Sequence, residues 1–446
     1  MKLIYKSYLT KENYLNFLLS LIPASFIVGN MAININIILL ILSSIFFFKK
    51  DIFKLKYFFD KLIFIFFSFV IFTGFYNDIY FYNTGHEIYF YFTDVYPQVG
   101  YTTLKSLLFL KYLFLYLSIR FLVEKKIINL KYFFYSASFC SLFVCIDLFY
   151  QFIFKKDIFG YEIIFARKLS GPFGEELIAG GYLQRFSIFS FFILPLFFVG
   201  KSKKITTYIT PFLFLFIFVA IVLSGNRIPL LSFLLAISLI LIFQKQTRKI
   251  FFPFIIIFTL SFSLIYNLNS HVKDNFNSFY TEISSMKEII ISNEFDEKNK
   301  THYIKEFSTF YDTWQMNKFI GGGIKNFRYY CHIRPNINPN SKFICNMHPH
   351  NYYLEILTET GLVGLAIILS IFLLTLYYSF FKKYFLQTSL RNNNIIIPFI
   401  FLFLVEIFPL KSTGSFFTTG NASYLFFILA ILIGLIKRDN LFENNS

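Results

Sequence analysis

Long apolar runs alternate with short polar breaks along most of this chain. About a dozen runs approach or exceed the roughly 18–20 apolar residues that a helix needs to cross a bilayer. They fall near 13–29, 31–48, 60–76, 104–123, 132–154, 182–199, 206–223, 228–243, 250–268, 352–380, 395–410 and 420–436. The pattern predicts an all-α, polytopic integral membrane protein with about twelve transmembrane helices. Residues 269–351 are the only sizeable polar block, so one large loop is expected between the ninth and tenth spans. The chain then divides into a bundle at 1–268, the loop at 269–351 and C-terminal spans at 352–446. Pro23, Pro195, Pro211 and Pro398 fall inside spans, where packing within a bundle tolerates them.

Composition strengthens this reading. Of the 446 residues, 56% are hydrophobic and 22% aromatic, which excludes an ordinary soluble domain. The formal net charge of +17 raises the question of nucleic acid. The positions of the charges answer it. "KKDIFKLKYFFDK" (49–61), "EKKIINLK" (124–131), "KSKK" (201–204), "QKQTRK" (244–249), "KKYFLQTSLR" (382–391) and "KR" (437–438) occupy every second loop. Basic loops face the cytoplasm and meet anionic headgroups. Both termini are therefore expected inside, with membrane lipids as partners and no nucleic acid. No small-residue cleavage site follows the first apolar segment, so it is expected to be retained. The other loops, 77–103, 155–181, 224–227 and 269–351, face the opposite side, the periplasm of a bacterial inner membrane.

Within the large loop, Tyr303, Phe307, Phe310 and Trp314 recur at helical spacing. They predict a helix lying on the membrane surface, ended by the glycines at 321–323. Cys331 and Cys345 also lie here. An oxidising compartment favours a disulfide, which would contribute about 3 kcal/mol for a loop of this length. Zinc is the alternative, with Cys331, His332, Cys345, His348 and His350 as ligands, although their spacing fits no common signature. Free thiols are the third reading. Cys140 and Cys145 sit in a span and read as buried apolar residues.

Three polar features share the expected periplasmic face. "ARKLSGPFGEELIAGGYLQRFS" (166–187) carries Arg167 and Arg185; "LSGNRIPLLSF" (223–233) opens a span with Arg227; "HPHN" (348–351) heads another with His348 and His350. An arginine fork suits a phosphate or pyrophosphate, and backbone N–H groups at a helix start add to the attraction. A histidine near neutral pKa takes a proton from a hydroxyl. Together they fit a lipid-linked pyrophosphate donor and a hydroxyl acceptor. Each also has a plain reading. Arg227 can snorkel to headgroups, His350 can cap a helix, and Arg167 and Arg185 can be structural. Glu355 and Glu359 either tune the site's acidity or bridge helices, and Gly361 and Gly364 read as helix-packing residues.

The chain resembles the O-antigen ligase / O-antigen polymerase superfamily. "HPHNYYLEILTETGLVGL" (348–365) looks like that family's His-Asn-x-x-Leu…Glu-x-Gly-x-x-Gly signature. "LSGNRIPLL" resembles its Ser-x-Arg segment, "TWQMNKFIGGGIKNF" (313–327) its Trp…Gly-x-Gly-x-x-Asn-Phe element, and "RKLSGPFGEE" its earlier arginine loop. The resemblance implies a metal-independent, inverting glycosyltransferase without a cofactor. It would take a glycan from undecaprenyl pyrophosphate and pass it to a hydroxyl of lipid A–core. Passing it to another lipid-linked glycan, as a polymerase does, is the alternative. By the same resemblance His350 is the catalytic histidine and Arg227 the first pyrophosphate-binding arginine. Where the family has a second arginine this chain has His302, and Arg328 is the other cation within reach. A lipid-linked sugar transporter is the reading from another class, with Asp147 and Glu406 marking a path.

Overall fold

The computed structural model describes residues 10–55, 57–84, 100–165, 168–197, 203–244, 251–292, 302–331, 334, 348–386, 395–409, 411 and 414–438. Among them the regular structure is helical, with two isolated bridges, Lys156 with Glu162 and Phe165 with Lys168, and no strand. The first half runs α1 (Lys11–Ser20), α2 (Ile22–Val28), α3 (Asn30–Phe48), α4 (Phe58–Thr84), α5 (Tyr101–Phe109), α6 (Lys111–Glu124), α7 (Leu130–Phe154), α8 (Ala179–Phe186) and α9 (Phe189–Phe197). The second runs α10 (Lys203–Leu223), α11 (Arg227–Phe243), α12 (Phe251–Leu268), α13 (Ser270–Ser292), α14 (His302–Gln315), α15 (Phe327–Tyr330), α16 (Tyr352–Leu376), α17 (Ile396–Glu406) and α18 (Thr419–Arg438).

Six helical segments among the described residues are long and apolar enough to cross a membrane, or seven if the bent pair Pro253–Leu268 and Ser270–Ser285 is one span. The expected count near twelve also included shorter pieces. The run at 13–29 breaks into α1 and α2, where Pro23 sits in the first turn of the second helix and cannot continue the first. The run at 182–199 likewise splits between α8 and α9. Ile209–Leu223, Arg227–Phe243 and Ile396–Glu406 are apolar but short.

α18 forms the centre of the bundle, with 83% of its most apolar window buried. It packs on α6, α17 and α3. The contact with α6 is close: a Cβ at Gly434 would lie 2.7 Å from the Val123 side chain and 2.9 Å from the Arg120 carbonyl. Small residues at such crossings let membrane helices approach. Outward faces are apolar too, with Phe46, Leu107, Phe139 and Leu373 exposed, as a lipid-facing surface requires. This is a multi-pass membrane protein.

One helix end closes over a buried ionic network. Lys437 Nζ donates to Asp60 Oδ1 and Oδ2 at 3.1 and 3.0 Å, and Tyr116 Oη donates to Asp60 Oδ1 at 2.8 Å. Arg120 lies 3.5 Å from Asp60 and donates to Glu124 Oε2 at 3.1 Å. The network ties α4, α6 and α18 together.

The largest departure from the expected fold lies in α16. Gly361 adopts φ 65°, ψ −171° in mid-helix, so the helix is broken there. A broken membrane helix leaves amide and carbonyl groups that must find partners. Residues 318–323 supply them. Gly322 N and Gly323 N donate to the Thr358 and Glu359 carbonyls at 3.0 and 2.8 Å; Leu362 N and Val363 N donate to the Lys318 and Phe319 carbonyls at 2.9 and 3.2 Å. The glycines therefore do not end a surface helix, since α14 already stops at Gln315. They let the segment approach the break, where a Cβ on Gly321 or Gly361 would strike the opposing backbone. Gly361 is a break point rather than a packing glycine. α14 itself packs against α16, and the Trp314 indole N–H donates to the Lys318 carbonyl at 3.0 Å.

Candidate functional site

The head of α16 gathers the chemistry. Asn351 is its N-cap: Oδ1 accepts from Tyr353 N and Leu354 N at 3.0 and 3.2 Å, satisfying amides that a helix start leaves open. Directly before it, His350 has φ 51°. A non-glycine residue in this left-handed region costs on the order of 1–3 kcal/mol and persists only where its surroundings enforce it. The His350 ring meets the His348 ring edge-on, with centroids 4.5 Å apart.

A polar cluster lies beside the histidines. Glu355, one turn into α16, is buried; its Oε1 accepts from Ser415 Oγ and its Oε2 from Phe416 N, both at 2.5 Å. Lys325 Nζ donates to Ser415 Oγ at 2.6 Å and stands 3.8 Å from Glu355. Burial, followed by the neighbouring His350 and Lys325, pushes the His348 pKa down to about 4, so this imidazole is neutral at pH 7. One turn deeper, Glu359 is buried, and the Lys325 backbone N–H approaches its carboxylate. The Glu359 carboxylate lies in the favourable field of Lys325 and Arg328 and the unfavourable field of Glu355.

The residues after α17 grip the same helix head. Asn351 Nδ2 donates to the Pro409 carbonyl at 2.8 Å, Tyr352 Oη to Glu406 Oε1 at 2.9 Å, and Tyr353 Oη to the Ile407 carbonyl. Glu406 is itself held. Arg185 donates to it through Nη2 at 2.7 Å and Nε at 3.4 Å, and Lys411 Nζ at 2.5 Å. Arg185 also donates to Asn421 Oδ1 at 2.7 Å and lies over the Tyr424 ring. Burial, opposed by Glu406, leaves the Lys411 pKa lowered to about 8.

Arg227 opens α11 behind Asn226, which has extended backbone angles at the N-cap. Its guanidinium turns to α13: Nη1 donates to the Asn275 carbonyl at 3.2 Å, Nη2 lies 3.7 Å from Glu282, and the group sits over the Phe279 ring. Asn226 in turn fastens α8, accepting from Gly180 N and donating to the Leu177 carbonyl, both at 3.0 Å. A cavity of about 630 Å³ lies alongside, between residues 152–169 and the α12–α13 bend, with Lys155, Lys156, His271, Leu223 and Val272 in its wall.

Residues 212–369 match the family model for O-antigen ligase. The matched span runs from α10 to the middle of α16 and includes Arg227, α14, the docked glycine segment and His350. The match makes this stretch of the chain similar to the O-antigen ligase family. No curated protein matches the chain.

Set against that family, the expected residues divide into three groups. His350 and Arg227 both head helices, but no hydrogen bond or ion pair joins them among the described residues. They are linked indirectly, through Asn226 to α8, through Arg185 to Glu406, and through Tyr352 to the residue next to His350. Arg185 faces Glu406 inside the bundle rather than an outer surface, so its place is structural support of the α16 head. Arg328 lies on α15, near enough for its charge to act on Glu359. α14 begins at His302, whose side chain lies outside the described residues, as does Arg167. Cys331 is buried and disulfide-bonded; Cys345, its expected partner, lies outside the described residues. Cys140 and Cys145 are buried free thiols. No cluster of three metal-ligating side chains occurs among the described residues.

Sequence reasoning missed Lys325, Ser415, Tyr352 and Lys411. Lys325 carried a usable signal, being the one cation inside "GGGIKNF". Glu406 was read as a mark of a transport path; it is instead enclosed by Arg185 and Lys411. Asp147 accepts from Ile158 N at 2.7 Å and holds the loop after α7.

Proposed function

We propose that this protein transfers a glycan from undecaprenyl pyrophosphate to an acceptor hydroxyl on lipid A–core at the periplasmic face, as a metal-independent, inverting O-antigen ligase. The observation that carries the reading is His350, held in a left-handed backbone at the head of α16, inside the matched family span and beside a neutral His348. His350 takes the proton from the acceptor hydroxyl as that oxygen attacks the anomeric carbon. The bond to the pyrophosphate oxygen breaks, and the leaving group departs carrying the negative charge. Arg227, at a helix start and with its side chain 20% exposed, binds that charge. The phosphoanhydride supplies the driving force, so no nucleotide is required.

Exchange of His350 or Arg227 for alanine tests this. His350→Ala is expected to lower transfer by at least about a hundredfold, the contribution typical of general-base catalysis, without loss of membrane insertion. Arg227→Ala is expected to act comparably through the leaving group. Wild-type product from well-inserted His350→Ala protein rejects the assignment. A deletion strain separates the two acceptor classes: loss of all long glycan on the core marks a ligase, and a core bearing a single repeat marks a polymerase.

A further inference from the structure

His350 is placed by its neighbours more firmly than a helix cap requires. Asn351 Oδ1 already satisfies the Tyr353 and Leu354 amides. Yet residues 351, 352 and 353 each send a further hydrogen bond to the end of α17 or the turn after it: Asn351 to the Pro409 carbonyl, Tyr352 to Glu406 and Tyr353 to the Ile407 carbonyl. The tyrosine and asparagine bonds fix the rotation and tilt of the first turn of α16 against α17. The anchor is rigid because Glu406 is fully engaged, by two nitrogens of Arg185 and by Lys411. Burying a carboxylate with two cations carries a large desolvation cost, and apolar packing would stabilise the fold at least as well. The arrangement is therefore poorly explained as adhesive alone. Its output is the orientation of the residue next in the chain, whose left-handed backbone needs such enforcement.

We propose that Glu406 and Tyr352 form a positioning relay that aims the His350 imidazole at the acceptor hydroxyl. The relay rests on the reading of His350 as the proton acceptor. Neither Glu406 nor Tyr352 touches the reacting atoms. Arg185 and Lys411 serve the relay by holding Glu406 in the rotamer that accepts from Tyr352, and Asn226 connects the same assembly to the Arg227 end of α11 through α8.

The test uses the full chain in liposomes. Lipid-linked glycan extracted from the source bacterium serves as donor, and lipid A–core as acceptor. Tyr352→Phe keeps the ring and removes the hydroxyl that donates to Glu406. It is expected to lower kcat about tenfold, the scale of a modest misalignment of a reacting group, with KM and melting temperature unchanged. Because Tyr352 acts through His350, the double variant His350→Ala/Tyr352→Phe is expected to be no slower than His350→Ala alone. Glu406→Gln is expected to lose more than Tyr352→Phe, and if it fails to insert, the tyrosine variant carries the test. Wild-type kcat in Tyr352→Phe alongside a crippled His350→Ala overturns the relay alone. Losses that multiply in the double variant also overturn it, since they show an independent effect. Full activity in His350→Ala overturns the proton-acceptor reading and the relay with it.

Discussion

Buried charge gathers at both ends of α18, and the two clusters are built differently. At the Lys437 end, Asp60 is fully buried and accepts from Lys437 and Tyr116, with Arg120 beside it and Glu124 closing the ring. At the other end, Glu406 and Glu355 are held by side chains, whereas Glu359 is buried with the Lys325 backbone N–H near its carboxylate. The Lys325 side chain there keeps 18% of its surface exposed. The first cluster faces inward with both of its carboxylates held, which suits three helices that must stay together. The second reaches outward, which suits a site that must still bind something. Both rest on ion pairs; what separates them is how completely their carboxylates are held.

The contrast can be broken by substitution, starting at the Asp60 end. Asp60→Asn leaves Lys437 and Arg120 buried with one carboxylate fewer, and loss of one partner from a buried pair costs about 3–5 kcal/mol. A sharp fall in melting temperature in detergent is therefore expected, with any activity loss following from unfolding. An unchanged melting temperature would remove the structural reading of that network.

A smaller effect is expected from pH at the open end. The His348 pKa is lowered in the folded chain to about 4, from 6.5. The unfolded chain therefore binds the proton more tightly between these values. The contribution to stability is complete above about pH 6.5 and is lost as pH falls towards 4. The wild-type melting temperature should drop between pH 7 and pH 5 by more than that of His348→Asn. Parallel curves for the two proteins would show that His348 is not the group responsible.

The smallest effect should come from Glu359→Gln. Glutamine keeps an acceptor for the Lys325 backbone N–H, so stability should change by about 1 kcal/mol or less, or rise. A loss as large as that of Asp60→Asn would mean that Glu359 is as firmly partnered as Asp60, and the contrast between the two ends would fail.

Much of the helical layout was legible in the chain. The run expected at 31–48 is α3 at Asn30–Phe48, and the run at 132–154 is α7 at Leu130–Phe154. The Arg227 helix start was also readable, whereas the cap of α16 is Asn351 rather than His350, the residue for which capping was weighed. The break at Gly361 was not, because the segment that completes it lies some forty positions earlier and no local pattern announces the docking. Nor was the burial of Arg185. Its partner Glu406 is more than two hundred residues away, so an arginine in a polar loop looked like a ligand-binding residue.

What the sequence determined by itself was the environment each segment must occupy. Apolar runs demand lipid or protein around them, and helices are the local solution to their backbone hydrogen bonding. It also determined the inventory of groups able to do chemistry, with His350 and Arg227 at helix starts. Only the tertiary structure decided which of those groups are committed to one another. Hydropathy is a property of a short window, whereas a hydrogen bond or ion pair between distant helices depends on their packing. That packing encloses Arg185 and Glu406, sets Lys325 beside the histidines, and braces the backbone of His350.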